Sequence, residues 1–466
     1  DAMRADRLLP PSGERAPAPN LDALARTGVV FSRTYTPIPH TSYAVTSLLT
    51  GKYVRRLFDV PGAPRVHETW PQILRRFRYR SAAFFTKAVV FIDRDRFEPY
   101  LRDWFGFGHV DAEYRVPCEE RVDRLLAWLD ETRAAHPKRP VFAWLHLFEP
   151  HEPYDPSCTR FGEDDADRYD CEIARADAAL GRVLGYVEEH FPDAIVIATA
   201  DHGEELGDHG GRYHGTTLYD EQVRVPLVIR VPGLEHRVVP EPVSLVDLLG
   251  TTLALLDIPA PARVRSRDLT PLLAGRRDPS FTAYSEQHDE AMLVHGDLKL
   301  IRDRVSGVCR LYDLAADPRE RRSVADLRPD DAARLCAKLA RFERSHAPME
   351  LRPVARAGSL ESWPAAVRRA LVGDESALAR LPAVVAGDAA PPVRRKAREL
   401  LARADEAARP GGLEALDGRG DSEVAAWLAL ATLFPGAERS ARLSELAAKL
   451  DAGSAVARAV ALARLE

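Results

Sequence analysis

Residues 194–210 constrain the fold more than any other part of the chain. Ala194-Ile-Val-Ile-Ala198 is a short unbroken apolar run and reads as a buried parallel strand. It leads directly into Thr199-Ala200-Asp201-His202-Gly203-Glu204-Glu205-Leu206-Gly207-Asp208-His209-Gly210. An acid and an imidazole where such a strand ends stand at the carboxyl edge of a sheet, where open α/β folds place their chemistry. Carboxylate and imidazole side by side are good ligands for a divalent metal. An isolated Asp-His-Gly is equally well a polar turn with a capping Asp, so the metal reading has to rest on other segments.

Several such segments are present. The chain opens on Asp1-Ala-Met-Arg4-Ala-Asp6, a candidate metal carboxylate followed by ion-pairing residues. Further on come Pro19-Asn20-Leu21-Asp22, Gly28-Val-Val-Phe31 and Tyr35-Thr-Pro37. These lead into Pro39-His40-Thr41-Ser42-Tyr-Ala-Val-Thr-Ser47-Leu48-Leu49-Thr50-Gly51. His214-Gly215-Thr216-Thr217-Leu218-Tyr219, Arg224-Val225-Pro226-Leu227 and Leu311-Tyr312-Asp313-Leu314 complete the set. In this order and spacing, residues 1 to about 326 resemble the sulfatase family of the alkaline phosphatase superfamily. The resemblance implies a catalytic domain over 1–350 with an α/β, doubly wound, mainly parallel sheet. A small α+β part over about 260–350 is implied with it. It also places Asp1 at the end of a central first strand, so residues upstream of Asp1 are expected to be needed for a stable, active enzyme. A membrane anchor or targeting segment upstream, and a periplasmic or membrane-anchored extracytoplasmic location, are expectations of the same kind.

Alternation of apolar and amphipathic runs agrees with an α/β layer structure. Strands are expected over 81–85, 141–147, 194–199 and 227–231. Helices are expected over 21–27, 42–49, 118–135, 170–190 and 243–256, and short strands over 283–286, 291–295 and 298–302. From about 351 to 466 Ala, Arg and Leu dominate and no strand pattern is visible. Asp388, Asp421 and Asp451 each precede a Val-centred amphipathic segment, a spacing that suits HEAT-like paired-helix repeats; a plain Ala-rich helical bundle is the competing reading. Either form is expected to be a scaffold or protein-partner element, dispensable for the chemical step.

Composition narrows the partners. A net charge of −5 gives no basic surface for nucleic acid, and no apolar run reaches the length of a membrane span. The five cysteines have no metal-ligand spacing; Cys158 and Cys171 are close enough in sequence to bridge in an oxidising compartment, and free thiols are the alternative.

The resemblance assigns the site residue by residue. Counting back from Leu48-Leu49-Thr50-Gly51, the family's modified nucleophile falls at Thr41. Tyr43, Ala44 and Val45 replace its Pro, Ser and Arg. Thr cannot become formylglycine, the aldehyde whose hydrate sulfatases use. A Thr here resembles instead the superfamily branches acting on phosphoryl groups, such as phosphoethanolamine and lipoteichoic-acid glycerophosphate transferases. Physically, a Thr hydroxyl needs a metal to lower its pKa and a helix N-terminus to stabilise the anion. Thr41 as a simple N-cap is compatible with that role, and Ser42 is the fallback nucleophile.

The implied metal ligands are Asp1, Thr41, Asp201 and His202. This mixed set suits one Mn²⁺ or Zn²⁺, with Ca²⁺ or Mg²⁺ as the family alternative. Two-metal relatives carry an Asp four residues before a His, and Leu147 occupies that place before His151. His151 and His214 are implied to bind the substrate oxyanion and to protonate the leaving oxygen, with Lys87 as a further anion contact or else a solvated strand-end lysine. His146 and His209 are expected in supporting or surface positions, and Arg4 and Arg224 in structural ion pairs. The expected substrates are phosphate or sulfate esters with phosphate preferred; a sulfuric ester hydrolase and a non-catalytic binding protein are the alternatives.

Overall fold

The computed structural model describes residues 1–53, 68–86, 97, 103–113, 116–261 and 264–346. Lys87 and the HEAT-like stretch 351–466 lie outside these. The described residues belong to the first of the chain's two compact units.

Two small sheets carry the site. In the first, β11 (Arg237–Val239), β1 (Val29–Phe31), β10 (Leu227–Arg230) and β6 (Val196–Thr199) lie side by side. β1 and β11 are parallel, whereas β10 runs antiparallel to both neighbours, with Leu227 opposite Thr199 and Ile229 opposite Ile197. In the second, β3 (Arg80–Phe84) is parallel to β4 (His109–Asp111) and β5 (Val141–Leu145). The architecture is the expected α/β layer, with β10 as an antiparallel insertion. Strand direction is set by connections, and an apolar run carries no mark of it.

Helices cover these strands. α1 (Pro19–Thr27) packs Leu21, Leu24 and Ala25 on Val30 and Val228, and α5 (Asp165–His190) adds Tyr169 and Ile173 to the same cluster. α5 starts five residues before the expected position because Asp164 caps it, accepting from the Asp167 N–H at 2.7 Å. α4 (Cys118–Ala135) spans its expected range and packs Leu125, Trp128 and Leu129 against Ala82 and Phe84. α2 (Thr41–Thr50) is buried almost all round and ends at Gly51, whose φ of +63° only glycine takes freely.

The expected helix over 243–256 divides. Val243–Ser244 is strand β12, parallel to β2 (Thr34–Tyr35), and the helix proper, α6, is Asp247–Leu255. A short apolar run fits either state, and here the open edge of β2 decides. The small region is an antiparallel meander of β13 (Thr282–Gln287), β14 (Glu290–His295), β15 (Leu298–Asp303) and β16 (Cys309–Asp313). α7 (Pro329–Ser345) buries Leu335 and Leu339 against Leu293, Leu300 and Leu311. Burying each such side chain contributes roughly 1.5–3 kcal/mol. Cys158 bridges Cys171 with Cα atoms 5.7 Å apart, and Cys309 bridges Cys336, a pairing the sequence spacing did not suggest. Among the described residues no helix is long and apolar enough to cross a membrane.

Candidate active site

Four chain segments converge where β5, β6 and the start of α2 end. The Asp1 amine donates to the Leu147 carbonyl just past β5, and the Ala2 N–H donates to Asp201 Oδ1 just past β6. This pins the opening residues between the two strand ends. Gly203 follows for a steric reason: a Cβ there would lie 2.1 Å from the Glu221 carbonyl oxygen. Its N–H donates to the Gln222 carbonyl, which locks the Asp-His-Gly turn.

His202 is the centre of the cluster. Its Nδ1–H donates to the Gly203 carbonyl at 2.9 Å, which leaves the lone pair on Nε2. Nε2 stands 3.0 Å from Thr41 Oγ1, 3.5 Å from Asp1 Oδ1 and 3.6 Å from an Asp201 carboxylate oxygen. Burial holds the His202 imidazole well below its ordinary pKa, so the ring is neutral. The carboxylate oxygens turned toward it, Asp1 Oδ1 and Asp201 Oδ2, are buried and accept no hydrogen bond. Two orphaned carboxylate oxygens, a neutral imidazole nitrogen and a hydroxyl make a donor set that fits a divalent cation. Asp1, His146 and Asp201 also bring ligand atoms within 4.8 Å of one another. His146 Nε2, however, is already engaged by Asp1 Oδ2 at 2.9 Å, so His146 aims the carboxylate. Burial pushes its pKa down to about 3.

Thr41 is the first residue of α2 and not its cap; that position belongs to His40. Thr41 is 2 % exposed, and its hydroxyl is the one that reaches His202. Ser42 Oγ is buried and makes no hydrogen bond, to this imidazole or to any other described group. His40, which the sequence did not single out, is pushed down to about 4 by burial and by the neighbouring His214.

The remaining imidazoles line the open side. The His151 and His214 rings meet edge to face at 4.8 Å, and His214 stacks on His202 at 4.1 Å. His214 Nδ1 is 3.0 Å from Glu204 Oε1, and burial raises the Glu204 pKa. His151 Nδ1–H donates to the Glu152 carbonyl at 2.5 Å and lies 2.7 Å from Glu152 Oε2. Burial opposes protonation of His151, but Glu152 outweighs it and raises the His151 pKa. Six of the seven expected site residues, Asp1, Thr41, His151, Asp201, His202 and His214, thus come together; the seventh, Lys87, lies outside the described residues. Glu152, Glu204 and the ordering role of His146 were missed or underweighted, because acids beside Pro and Gly look like solvated turns.

The other expected polar residues are structural. Arg4 pairs with Asp6 and Asp208, His209 bonds Glu221 at 2.6 Å and stacks on Tyr219, and Arg224 donates to the Ser32 carbonyl.

Comparison with known proteins identifies the family. The sulfatase family model matches residues 2–258. In sequence, the chain is 34% identical over 159 residues to the uncharacterized sulfatase YidJ of Escherichia coli K12, covering 32% of each protein. It is 30% identical over 243 residues to arylsulfatase K of Mus musculus, covering 46% of this chain and 43% of that one. The chain thus spans less than half the length of these relatives. Among solved structures, BT4656 in complex with its substrate D-glucosamine-2-N,6-O-disulfate aligns at a TM-score of 0.62 and 16% identity, over 74% of this chain and 96% of that one. The phosphonate monoester hydrolase of Silicibacter pomeroyi aligns at 0.60 and 20% identity, over 74% and 94%. Those two likenesses bear on the fold. With a family match over more than half of its 466 residues, behind a site of this composition, the chain belongs to the sulfatase family.

Proposed function

We propose that this protein is a metal-dependent hydrolase or transferase acting on phosphate or sulfate esters, phosphate esters being preferred, with Thr41 as the nucleophile. The observation that carries this reading is the gathering of Thr41 Oγ1, Asp1 Oδ1 and Asp201 Oδ2 about the lone pair of His202 Nε2. Asp1, Thr41, Asp201 and His202 would hold the cation, and their mixed donors suit Mn²⁺ or Zn²⁺. A bound divalent cation supplies the positive charge that lowers the hydroxyl pKa and neutralises a substrate oxyanion.

The side chains do the rest. Thr41 Oγ1, its proton lost to water, attacks phosphorus in line and breaks the bond to the alcohol oxygen, at the positive end of the α2 dipole. His151 and His214 hold the oxyanion on the open side. His214, braced through Nδ1 by Glu204, delivers a proton to the departing alcohol oxygen. Water or an acceptor alcohol then clears the Thr41 ester. The phosphate preference rests on Thr41 lacking any route to an aldehyde hydrate.

A sulfuric ester hydrolase is the second reading, favoured by the printed names of the arylsulfatase relatives. An extracytoplasmic site of action fits the Cys158–Cys171 bridge and the relatives named extracellular sulfatases. The C-terminal stretch is proposed as a docking element for a protein partner, with no nucleic-acid role. A panel of phosphate monoesters, phosphate diesters and aryl sulfates, run with metal analysis, tests the assignment. Phosphoester turnover with a mass-detected phosphate adduct on Thr41 is expected. Aryl sulfate turnover alone, or an adduct on Ser42, would return the protein to the second reading.

A further inference from the structure

β11 is an edge strand of the first sheet, and a cavity of about 230 Å³ opens along it. Residues 236–241 form one wall, and Gly275-Arg276-Arg277, just past the helical turn Thr270–Leu273, form the other. The charges lining it do not cancel. Three guanidiniums, those of Arg237, Arg276 and Arg277, stand with one carboxylate, Glu241. Glu241 is buried, and its Oε1 accepts from Arg277 Nε at 2.5 Å and from the Asp278 N–H at 3.2 Å. It ties the loop to the end of β11 and serves Arg277. Among the described residues, the Arg237 and Arg276 side chains make no hydrogen bond or ion pair.

Arg237 is the informative member. Its Nε–H is shut off from solvent and donates to nothing, a state that calls for a partner. A Cβ on Gly275 would stand 2.1 Å from Arg237 Nη1, and Gly275 has a φ of +85°, so glycine there gives the guanidinium its place. A water would bond the Nε–H, but only an anion also balances the unpaired guanidiniums. The planar fork of arginine matches the oxygens of phosphate and sulfate groups. At about 230 Å³ the cavity is smaller than the roughly 300–1,000 Å³ of drug-sized sites, which suits one small anionic group. β11 is parallel to β1, and β10 is antiparallel to both β1 and β6, so β11 and β6 run the same way. Glu241 and Asp201 each follow their strand by two residues at one edge of the sheet. Their strands are three spacings apart, roughly 14 Å.

We propose that Arg237 and Arg276 bind a tetrahedral oxyanion of the phosphate or sulfate class at this cavity, separate from Thr41, with Gly275 making room for the Arg237 guanidinium. The binding does not depend on the chemistry assigned to Thr41. Its anion is a free ion or a second ester group on a substrate held at Thr41, and the groups that recognise it are the same in both cases.

The test uses the full chain labelled with nitrogen-15 and follows the arginine Nε–H resonances as inorganic phosphate or sulfate is added. Arg237→Lys, which loses that resonance, assigns the Arg237 signal. A saturable shift is expected, absent with sodium chloride of matched ionic strength and kept in Asp201→Asn. Arg276→Ala and Gly275→Ala, checked for melting temperature, should raise the half-saturating phosphate concentration roughly tenfold or more. No saturable shift, an equal shift with chloride, or unchanged half-saturation in Arg276→Ala would overturn the site. Tetraethylene glycol bisphosphate and monophosphate, offered as substrates, separate the two sources. A KM raised by Arg276→Ala for the bisphosphate alone upholds the site and assigns it a second ester group. Unchanged KM values beside weakened phosphate binding uphold it and assign it the free ion. If neither ester is turned over, the reading of Thr41 fails, and the Arg237 titration still decides this one.

Discussion

Lys299 is fully buried on β15, with its ammonium 2.7 Å from Asp220 and 2.8 Å from Glu320. Glu320 also accepts the Asp220 N–H at 2.6 Å, so the small sheet and the main domain are clasped by one closed ionic cluster. The pocket around Thr41 is as deeply buried and as rich in acids, yet it holds no paired lysine or arginine among the described residues. The same physics acts on both, since a buried carboxylate needs a partner. At Lys299 the chain supplies the counter-charge itself and gains a rigid joint. Around Thr41 the described residues supply no such cation, which is in keeping with the proposed site for a cation and an anionic ester.

Thr41→Ala gives the largest expected effect. Turnover should fall on the order of 10⁴-fold or more, because the attacking oxygen is gone. Melting temperature should stay near wild type by calorimetry, and elemental analysis should still find the cation, held more weakly by Asp1, Asp201 and His202 alone. A variant that keeps its turnover would break the comparison at its functional end.

Lys299→Met should do the reverse. Removing the buried ammonium from Glu320 and the partly buried Asp220, which keeps Arg224 at 3.7 Å, costs about 3–5 kcal/mol, or roughly 6–15 °C in melting temperature. The rate per folded molecule and the metal content should not change. Chelation comes next: stripping the wild type should cost about 3 kcal/mol of stability at a cation concentration near 100 times Kd. In the stripped protein, Asp201→Asn should raise stability by about 1–2 kcal/mol, since it removes the charge from a carboxylate whose Oδ2 accepts no hydrogen bond. A loss of stability there would mean the Thr41 pocket is already balanced without metal.

The smallest effect concerns pH. Burial and the second acid, Asp220, raise Glu320 from the ordinary carboxylate value to about 7, against the pull of Lys299. A carboxyl raised on folding favours the folded state while protonated. Its contribution is therefore complete below about pH 4.5 and lost as pH rises through about 7. Melting temperature from pH 5.5 to 8 should fall by a few degrees more in wild type than in Glu320→Gln. Parallel curves would show that Lys299 neutralises both acids.

Both clusters differ in how far sequence exposes them. Asp201 and His202 were legible because an apolar strand runs straight into them, and Thr41 because it begins a helix at a fixed count from Gly51. The 18 residues of α4 were legible for their length and their acidic first turn. Glu152 and Glu204 were not, since their role depends on which strand ends the sheets bring together. The Lys299 clasp was equally hidden: Lys299 alternates with Leu298 and Leu300 like any surface lysine, and only the packing of β15 buries it. The antiparallel course of β10 escaped for a related reason, as direction resides in connections and not in residue pattern.

One consequence of Thr41 reaches beyond the pocket. A hydroxyl at the first position of α2 is complete when translation ends, whereas a formylglycine must be made by a second enzyme before the host sulfatase works. With Thr41 as the proposed nucleophile, the catalytic competence of this chain would be free of any maturation partner. It should not vary with the expression host or with the fraction of chains processed, and it could be carried into a new organism on one coding sequence.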